Sequence, residues 1–257
     1  MKQVLYILTV TEDGAVPVQF RVESGNTTDD QTHQTTWDLL CQLSGRRDFL
    51  YVADSKLATR ENMAYVHQRG GRFLTVLPRT RSEDEKFRQV TTRFDLSYTV
   101  NQTALDIERR GDGAFPPITN VLDVSELDLL WAYKKQPKIE KRFSQMKTDF
   151  VVAPVHWHSA SRIEAFLCIY FFALLVEALL ERELRQAMKA SDVTSLPLYP
   201  EGRPCRCPTT RRVFDAFDNV QRHNLTAEGR QRTVTELSPL QHKLLKLLGH
   251  APEKYGR

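Results

Sequence analysis

The sequence predicts an α/β fold, and two observations support this prediction. Residues 48–53 (DFLYVA) form a short apolar run, residues 60–69 have a helical pattern, and residues 72–77 (RFLTVL) form a second apolar run. Strand, helix and strand in this order are the repeating unit of an α/β sheet. Residues 3–10 and 15–22 are β-rich and flank a TEDG turn, which predicts an opening hairpin. We expect this hairpin to pair beside the strand at 48–53.

The rest of the first half gives weaker signals. Residues 31–43 have a helical apolar pattern that ends near Gly45. Thr59 can cap the helix at 60–69, and the two glycines that follow can end it. Further strands are expected in the ranges 94–100 and 104–107, and residues 111–120 are expected to form a loop.

The second half is predicted to be mainly helical. Asp123 and Glu126 suit a capping box for a helix that runs to Lys135, and Pro137 can start a helix that runs to about residue 148. A long helix is expected at 162–188. Because its first half is almost wholly apolar, we expect this helix to occupy a central position. Proline and cysteine mark 196–210 as a linker, followed by two or three short helices. We therefore predict a catalytic core at 1–190 and a linker with a small helical extension at 191–257.

Composition restricts the class of protein. The chain has 257 residues, of which 41% are hydrophobic and 26% charged, as in ordinary soluble proteins. Its net charge of +4 slightly favours a polyanionic partner. No signal peptide is recognisable, and the apolar run 165–176 is too short to span a bilayer. A cytoplasmic protein without membrane partners is expected. Cys205 and Cys207 lack the second pair of a zinc site.

Asp54 is the first candidate for chemistry. It follows a buried strand directly, and α/β folds keep their sites at the carboxyl ends of strands. A helix cap or turn residue is the alternative interpretation of this position.

The second candidate is the segment 133–147 (YKKQPKIEKRFSQMK), which carries Glu140 and Lys147 on neighbouring helix faces among several cations. A carboxylate beside cations suits a place where a metal ion and phosphates meet. A solvated helix face with ordinary ion pairs is the alternative. His156 and His158 form a weaker metal candidate, because no third ligand is in view.

Taken together, these segments resemble the transposases of bacterial insertion sequences, in the superfamily named for insertion sequence four. The family signature is a tyrosine, two residues, an arginine, three residues, a glutamate, six residues and a lysine. Tyr133, Gln136, Glu140 and Lys147 have this spacing, with glutamine in place of arginine. The stretches LYVADSKLATRENMAYVHQRGGRFLTVLPRTR, GAVPVQFRVESGNTTDD and SRIEAFLCIYFFALLVEALLE also resemble this group, so the resemblance covers most of the chain.

The resemblance implies an RNase H-like mixed sheet flanked by helices, with a short helical C-terminal extension. It also implies a DDE active site in which two Asp and one Glu hold Mg²⁺ or Mn²⁺ for cleavage and strand transfer of DNA. By position, Asp54 and Glu140 are catalytic metal ligands, while Tyr133, Gln136 and Lys147 bind DNA. The implied partners are the double-stranded ends of a transposon, a second copy and a full-length transposase.

Two departures from the family change the expectation. The family's first Asp lies on a strand upstream of the hairpin, and Asp13, Asp29 and Asp30 are not well placed to replace it. The region between Asp54 and Glu140 is also short. We therefore expect a transposase truncated at its N-terminus that is inactive as this chain. The alternative is a non-catalytic remnant that binds DNA or a transposase.

Overall fold

The computed structural model describes residues 3–77, 117–157, 159–221, 223–227, 230–234 and 236–252. The chain divides into two compact units. The first unit contains Met1–Tyr6 and Val22–Glu140, and the second contains Ile7–Arg21 and Lys141–Arg257. The tip of the opening hairpin thus belongs to the same unit as the C-terminal half, whereas the sequence interpretation places the boundary at 190/191.

The elements alternate between strands and helices in the first half of the chain and are mostly helical in the second. In chain order they are β1 Val4–Val10, β2 Pro17–Ser24, α1 Asp29–Ser44, β3 Leu50–Val52, α2 Arg60–Gln68, β4 Arg72–Val76, β5 Pro117–Thr119, α3 Glu126–Tyr133, α4 Pro137–Ser144, a π-helix Gln145–Asp149, α5 Ala160–Ala190, α6 Thr210–Asp215, β6 His223–Ala227, β7 Arg230–Val234 and α7 Pro239–Leu247.

A small mixed sheet organises the first unit. Strand β3 pairs parallel to β4, with Tyr51 opposite Phe73, and β4 pairs antiparallel to β5, with Thr75 opposite Ile118. Helix α2 connects the parallel pair, so the predicted strand–helix–strand unit is confirmed. The mixed α/β class is confirmed with it, as a small mixed sheet with helices around it.

Two predictions about strands are wrong. The β1–β2 hairpin forms a two-stranded sheet of its own and does not pair with β3. The range 111–120, which was predicted to be a loop, contains β5, because residues 117–119 pair with the edge of β4. The Thr119 hydroxyl donates to the Phe73 carbonyl, and the Asn120 side chain accepts from the Phe73 amide, which extends this pairing. The strands predicted at 94–100 and 104–107 lie outside the described residues.

Helix ends follow local chemistry. Helix α1 ends at Gly45, which has a φ of 65°, a left-handed conformation that glycine adopts without strain. Thr59 caps α2 by accepting a hydrogen bond from the Asn62 amide, as predicted. Helix α3, however, is capped by Ser125, and Asp123 instead pairs with Arg72 at 2.6 Å. The helix from Pro137 ends at Ser144 and continues as the π-helix.

The second unit has its core where a linker was predicted. Leu196, Leu198 and Cys205 are buried against Leu184 and Met188 of α5, and Leu196 and Cys205 form an antiparallel bridge. The side chains of Leu196, Leu198 and Cys205 therefore serve packing, whereas Cys207 is exposed, and the segment is not the extended linker that was predicted. The hairpin β6–β7 was also missed, because only helices were predicted for that part of the chain.

Helix α5 is 31 residues long, and it is the one helix in the described ranges that is long and apolar enough to cross a membrane by length and composition. Only 22% of its most apolar stretch is buried. Leu167 and Leu174 face the interior, while Ile169 and Phe172 are exposed. The prediction of a central, buried helix is therefore correct for one face only.

Candidate active site

Asp54 lies just beyond the carboxyl end of β3, as the sequence predicted. Its side chain is exposed, and Oδ1 accepts a hydrogen bond from the Lys56 amide at 3.0 Å. Its carbonyl accepts hydrogen bonds from the Thr75 hydroxyl of β4 and from the Leu57 amide. The backbone of Asp54 is thus fixed to the sheet, while the carboxylate stabilises a turn and still faces solvent.

Glu140 lies on α4 and is also exposed. Tyr133, at the end of α3, is half-buried. Burial raises the pKa of Tyr133 above its ordinary value, and the nearby charges of Asp54 and Glu140 raise it further. Both carboxylates thus act on Tyr133 through their charge, and these three residues of the predicted site all belong to the first unit.

The two other predicted DNA-binding residues differ in position. Gln136 is half-buried in the turn between α3 and α4, where its amide donates to the Tyr133 carbonyl at 3.0 Å. Lys147 is exposed on the π-helix and belongs to the second unit. The helix that was expected to run from Glu140 to Lys147 without interruption changes type between them.

The cations of the segment 133–147 do not all face solvent. Arg142 is one of the several cations of this segment, but its side chain is only 2% exposed and pairs with Glu181. Lys141 approaches the same carboxylate, with 3.7 Å between its Nζ and Glu181 Oε1. Arg142 is buried because its guanidinium also donates to the carbonyls of Gly14 and Ala15, so its charge is used within the fold.

The sequence interpretation missed His33, which the charge of Asp54 also affects. It is buried on α1 and shares a 2.9 Å hydrogen bond with the Tyr51 hydroxyl through Nδ1, while Nε2 has no hydrogen-bond partner. Burial lowers the pKa of His33, and the charges of Asp54, Asp29 and Asp30 oppose that effect. A single histidine near the start of a helix carries no signal that could have identified it.

These carboxylates fit a divalent cation only in part. Asp54 and Glu140 supply the hard oxygen donors that Mg²⁺ prefers. Among the described residues, however, no three His, Cys, Asp or Glu side chains lie close enough to hold a metal ion together. The Asp13 carboxylate forms an ion pair with Arg182, with 2.6 Å between Asp13 Oδ2 and Arg182 Nε. His158, one of the two histidines of the weaker metal candidate, lies outside the described ranges.

Comparison with protein-family models, with curated proteins and with solved structures finds no match to this chain.

Proposed function

We propose that this chain is a DDE-type transposase core of an insertion sequence that binds double-stranded DNA ends in the cytoplasm. The observation that supports the proposal best is that the charges of Asp54 and Glu140 both raise the pKa of Tyr133, although Asp54 lies far from the other two residues in sequence.

In this proposal Asp54 and Glu140 would hold Mg²⁺ or Mn²⁺, which supplies Lewis-acid activation of a water or a DNA hydroxyl when bound. Lys147 offers a charge to a phosphate, and Gln136 offers a hydrogen bond without charge, which weakens the grip on the DNA end relative to arginine. Tyr133, which is half-buried, would contact the DNA end.

Two observations favour the second candidate, a non-catalytic protein that binds DNA or a transposase. The described residues contain no three-ligand group for a metal, and the sequence matches two of the family's three acids. Both candidates predict DNA binding, and they differ in whether a divalent cation binds.

DNA binding is tested by fluorescence anisotropy with a labelled duplex across a salt titration. Because the expected contacts are to phosphates, binding should weaken steeply with salt. Lys147→Ala should reduce the slope of the logarithm of the binding constant against the logarithm of the salt concentration by roughly one. Lys189→Ala, which removes an exposed lysine of α5, is the matched control and should leave the slope unchanged. Equal slopes for the wild type and Lys147→Ala would contradict this assignment.

Cation binding is tested separately by electron paramagnetic resonance of free Mn²⁺. The proposal expects one or more weak sites that Asp54→Asn and Glu140→Gln each weaken, with Glu61→Gln of α2 as a control at an exposed acid of the same unit. Salt-sensitive DNA binding without Mn²⁺ binding would favour the non-catalytic candidate.

A further inference from the structure

Helix α5 carries an exposed apolar stripe that consists of Ile169, Phe172, Val176 and Leu179. These side chains are 67%, 56%, 60% and 40% exposed, respectively. Their spacing of three, four and three residues is that of the seam positions in a coiled coil, which lie along one side of a helix. The opposite side of α5 is buried in the second unit through Leu167, Leu174, Glu181 and Met188, so the stripe points away from the core.

Contiguous exposed apolar side chains along a helix are characteristic of an interaction surface. We infer that the stripe on α5 binds the same stripe of a second copy of this chain, as an antiparallel helix pair with two-fold symmetry. The inference does not depend on the proposed function, because no residue of the stripe belongs to the candidate active site.

Charges at the ends of the stripe select the antiparallel direction. Arg162 lies on the seam two turns before Ile169, and Glu183 lies on it one turn after Leu179; both are exposed. In an antiparallel pair Ile169 packs against Leu179 and Phe172 against Val176, and Glu183 of each copy lies within a turn of Arg162 in the other. A parallel pair would place Arg162 beside Arg162 and Glu183 beside Glu183, and like charges repel.

The alternative occupant, a lipid bilayer, fits less well. Helix α5 is long and apolar enough to cross a membrane by length and composition, but any such span would place Glu177 in the hydrocarbon, where a carboxylate is costly. The Glu177 carboxylate accepts a hydrogen bond from the Gln145 side chain at 2.8 Å, and the buried Glu181 pairs with Arg142. Insertion of α5 into lipid would break both contacts, whereas a second copy can cover the stripe and leave them intact.

The size of the stripe predicts a weak dimer. From Arg162 to Glu183 the helix rises about 30 Å, and a contact about 10 Å wide over that length covers roughly 300 Å² on each copy. Stable complexes cover about 800 Å² on each partner, so a weak and reversible dimer is expected.

Sedimentation velocity of the full chain over a range of concentrations tests this inference. We expect a monomer–dimer equilibrium in the wild type. Val176→Glu should raise the dissociation constant at least about tenfold, since it places a charge opposite Phe172 of the other copy. Phe214→Glu, an exposed phenylalanine of the same unit outside the stripe, is the matched control. Circular dichroism shows whether each variant is folded.

A charge exchange tests the direction of the pair. Arg162→Glu or Glu183→Arg alone should weaken the dimer, and the two together should restore it, because the exchanged charges again meet across the symmetry axis. A monomer at every concentration, or a dimer that is indifferent to Val176→Glu, would overturn the inference. Co-flotation of a monomeric chain with phosphatidylcholine vesicles, abolished by Val176→Glu, would assign the stripe to lipid instead.

Discussion

Arg142 and Glu181 form an ion pair that is buried on both sides, with 3.3 Å between Arg142 Nη2 and Glu181 Oε2. The two side chains are 2% and 1% exposed, respectively. Arg142 also donates to Gln145 Oε1 and to two backbone carbonyls, while Glu181 accepts from Arg185 and from the Thr210 amide. The pair thus joins α4, the π-helix, α5 and the start of α6 within the second unit.

Replacement of Arg142 by methionine should destabilise the protein strongly. The substitution leaves the Glu181 charge buried with fewer partners, and removal of one member of a buried pair costs about 3–5 kcal/mol. Arg211→Ala breaks an exposed pair with Asp149 in the same unit and should cost at most about 1 kcal/mol. Urea unfolding of both variants measures the two costs, and similar values for both would show that the buried network contributes little.

Glu177 gives the second unit a predictable dependence on pH. Burial raises its pKa in the folded protein, and the neighbouring Glu181 charge raises it further. The folded state therefore holds this proton more tightly than the unfolded state. The resulting stabilisation is present at pH values below the ordinary glutamate pKa and is lost as the pH rises through the raised folded-state pKa.

Glu177→Gln should remove this dependence because the amide does not titrate. We expect the difference between the Tm of the variant and the Tm of the wild type to increase in favour of the variant as the pH is raised from about 4 to about 8. Glu164→Gln, at an exposed glutamate of the same helix, is the control and should track the wild type. A constant difference between Glu177→Gln and the wild type over this range would exclude the proposed linkage.

The neighbourhood of Tyr133 can be tested without any activity. Asp54→Asn and Glu140→Gln should each lower the pKa of Tyr133, because each removes a negative charge that disfavours the phenolate. An NMR titration of ring-labelled tyrosine measures the effect, with Glu61→Gln as the control. If either substitution leaves Tyr133 unchanged, that carboxylate does not belong to the candidate site.

We expect this chain alone not to nick or join DNA in Mg²⁺ or Mn²⁺. Two-metal phosphoryl transfer depends on carboxylates that clamp both cations, and only Asp54 and Glu140 are matched to the family's acids. A nicking assay on supercoiled plasmid, with purified chain and with Asp54→Ala, checks this expectation. Cation-dependent nicking that Asp54→Ala abolishes would refute the claim of inactivity and support the site itself.

The sequence predicted the elements that local chemistry determines. Thr59 and Gly45 delimit helices through a side-chain cap and a left-handed backbone, both of which depend on residues within one turn. The strand–helix–strand unit was predicted because its apolar periods are clear. The position of Asp54 at a strand end followed from that unit.

Contacts between distant segments were not predictable in this way. The burial of Arg142 depends on carbonyls of Gly14 and Ala15 that lie far away in sequence, and a charged helix gives no sign of them. Ser125, and not Asp123, caps helix α3, and Asp123 pairs with Arg72 of β4. The core role of Leu196 was obscured by neighbouring prolines, which dominate a composition argument.

The membership of the hairpin tip in the second unit affects how the chain folds. Residues 7–21 are made well before Arg142, which donates to the carbonyls of Gly14 and Ala15. Contacts of such long sequence separation carry a loop-closure cost and slow folding. The strands β1 and β2 can pair with each other early, but the contacts between the hairpin tip and Arg142 form only after the second half of the chain has been made.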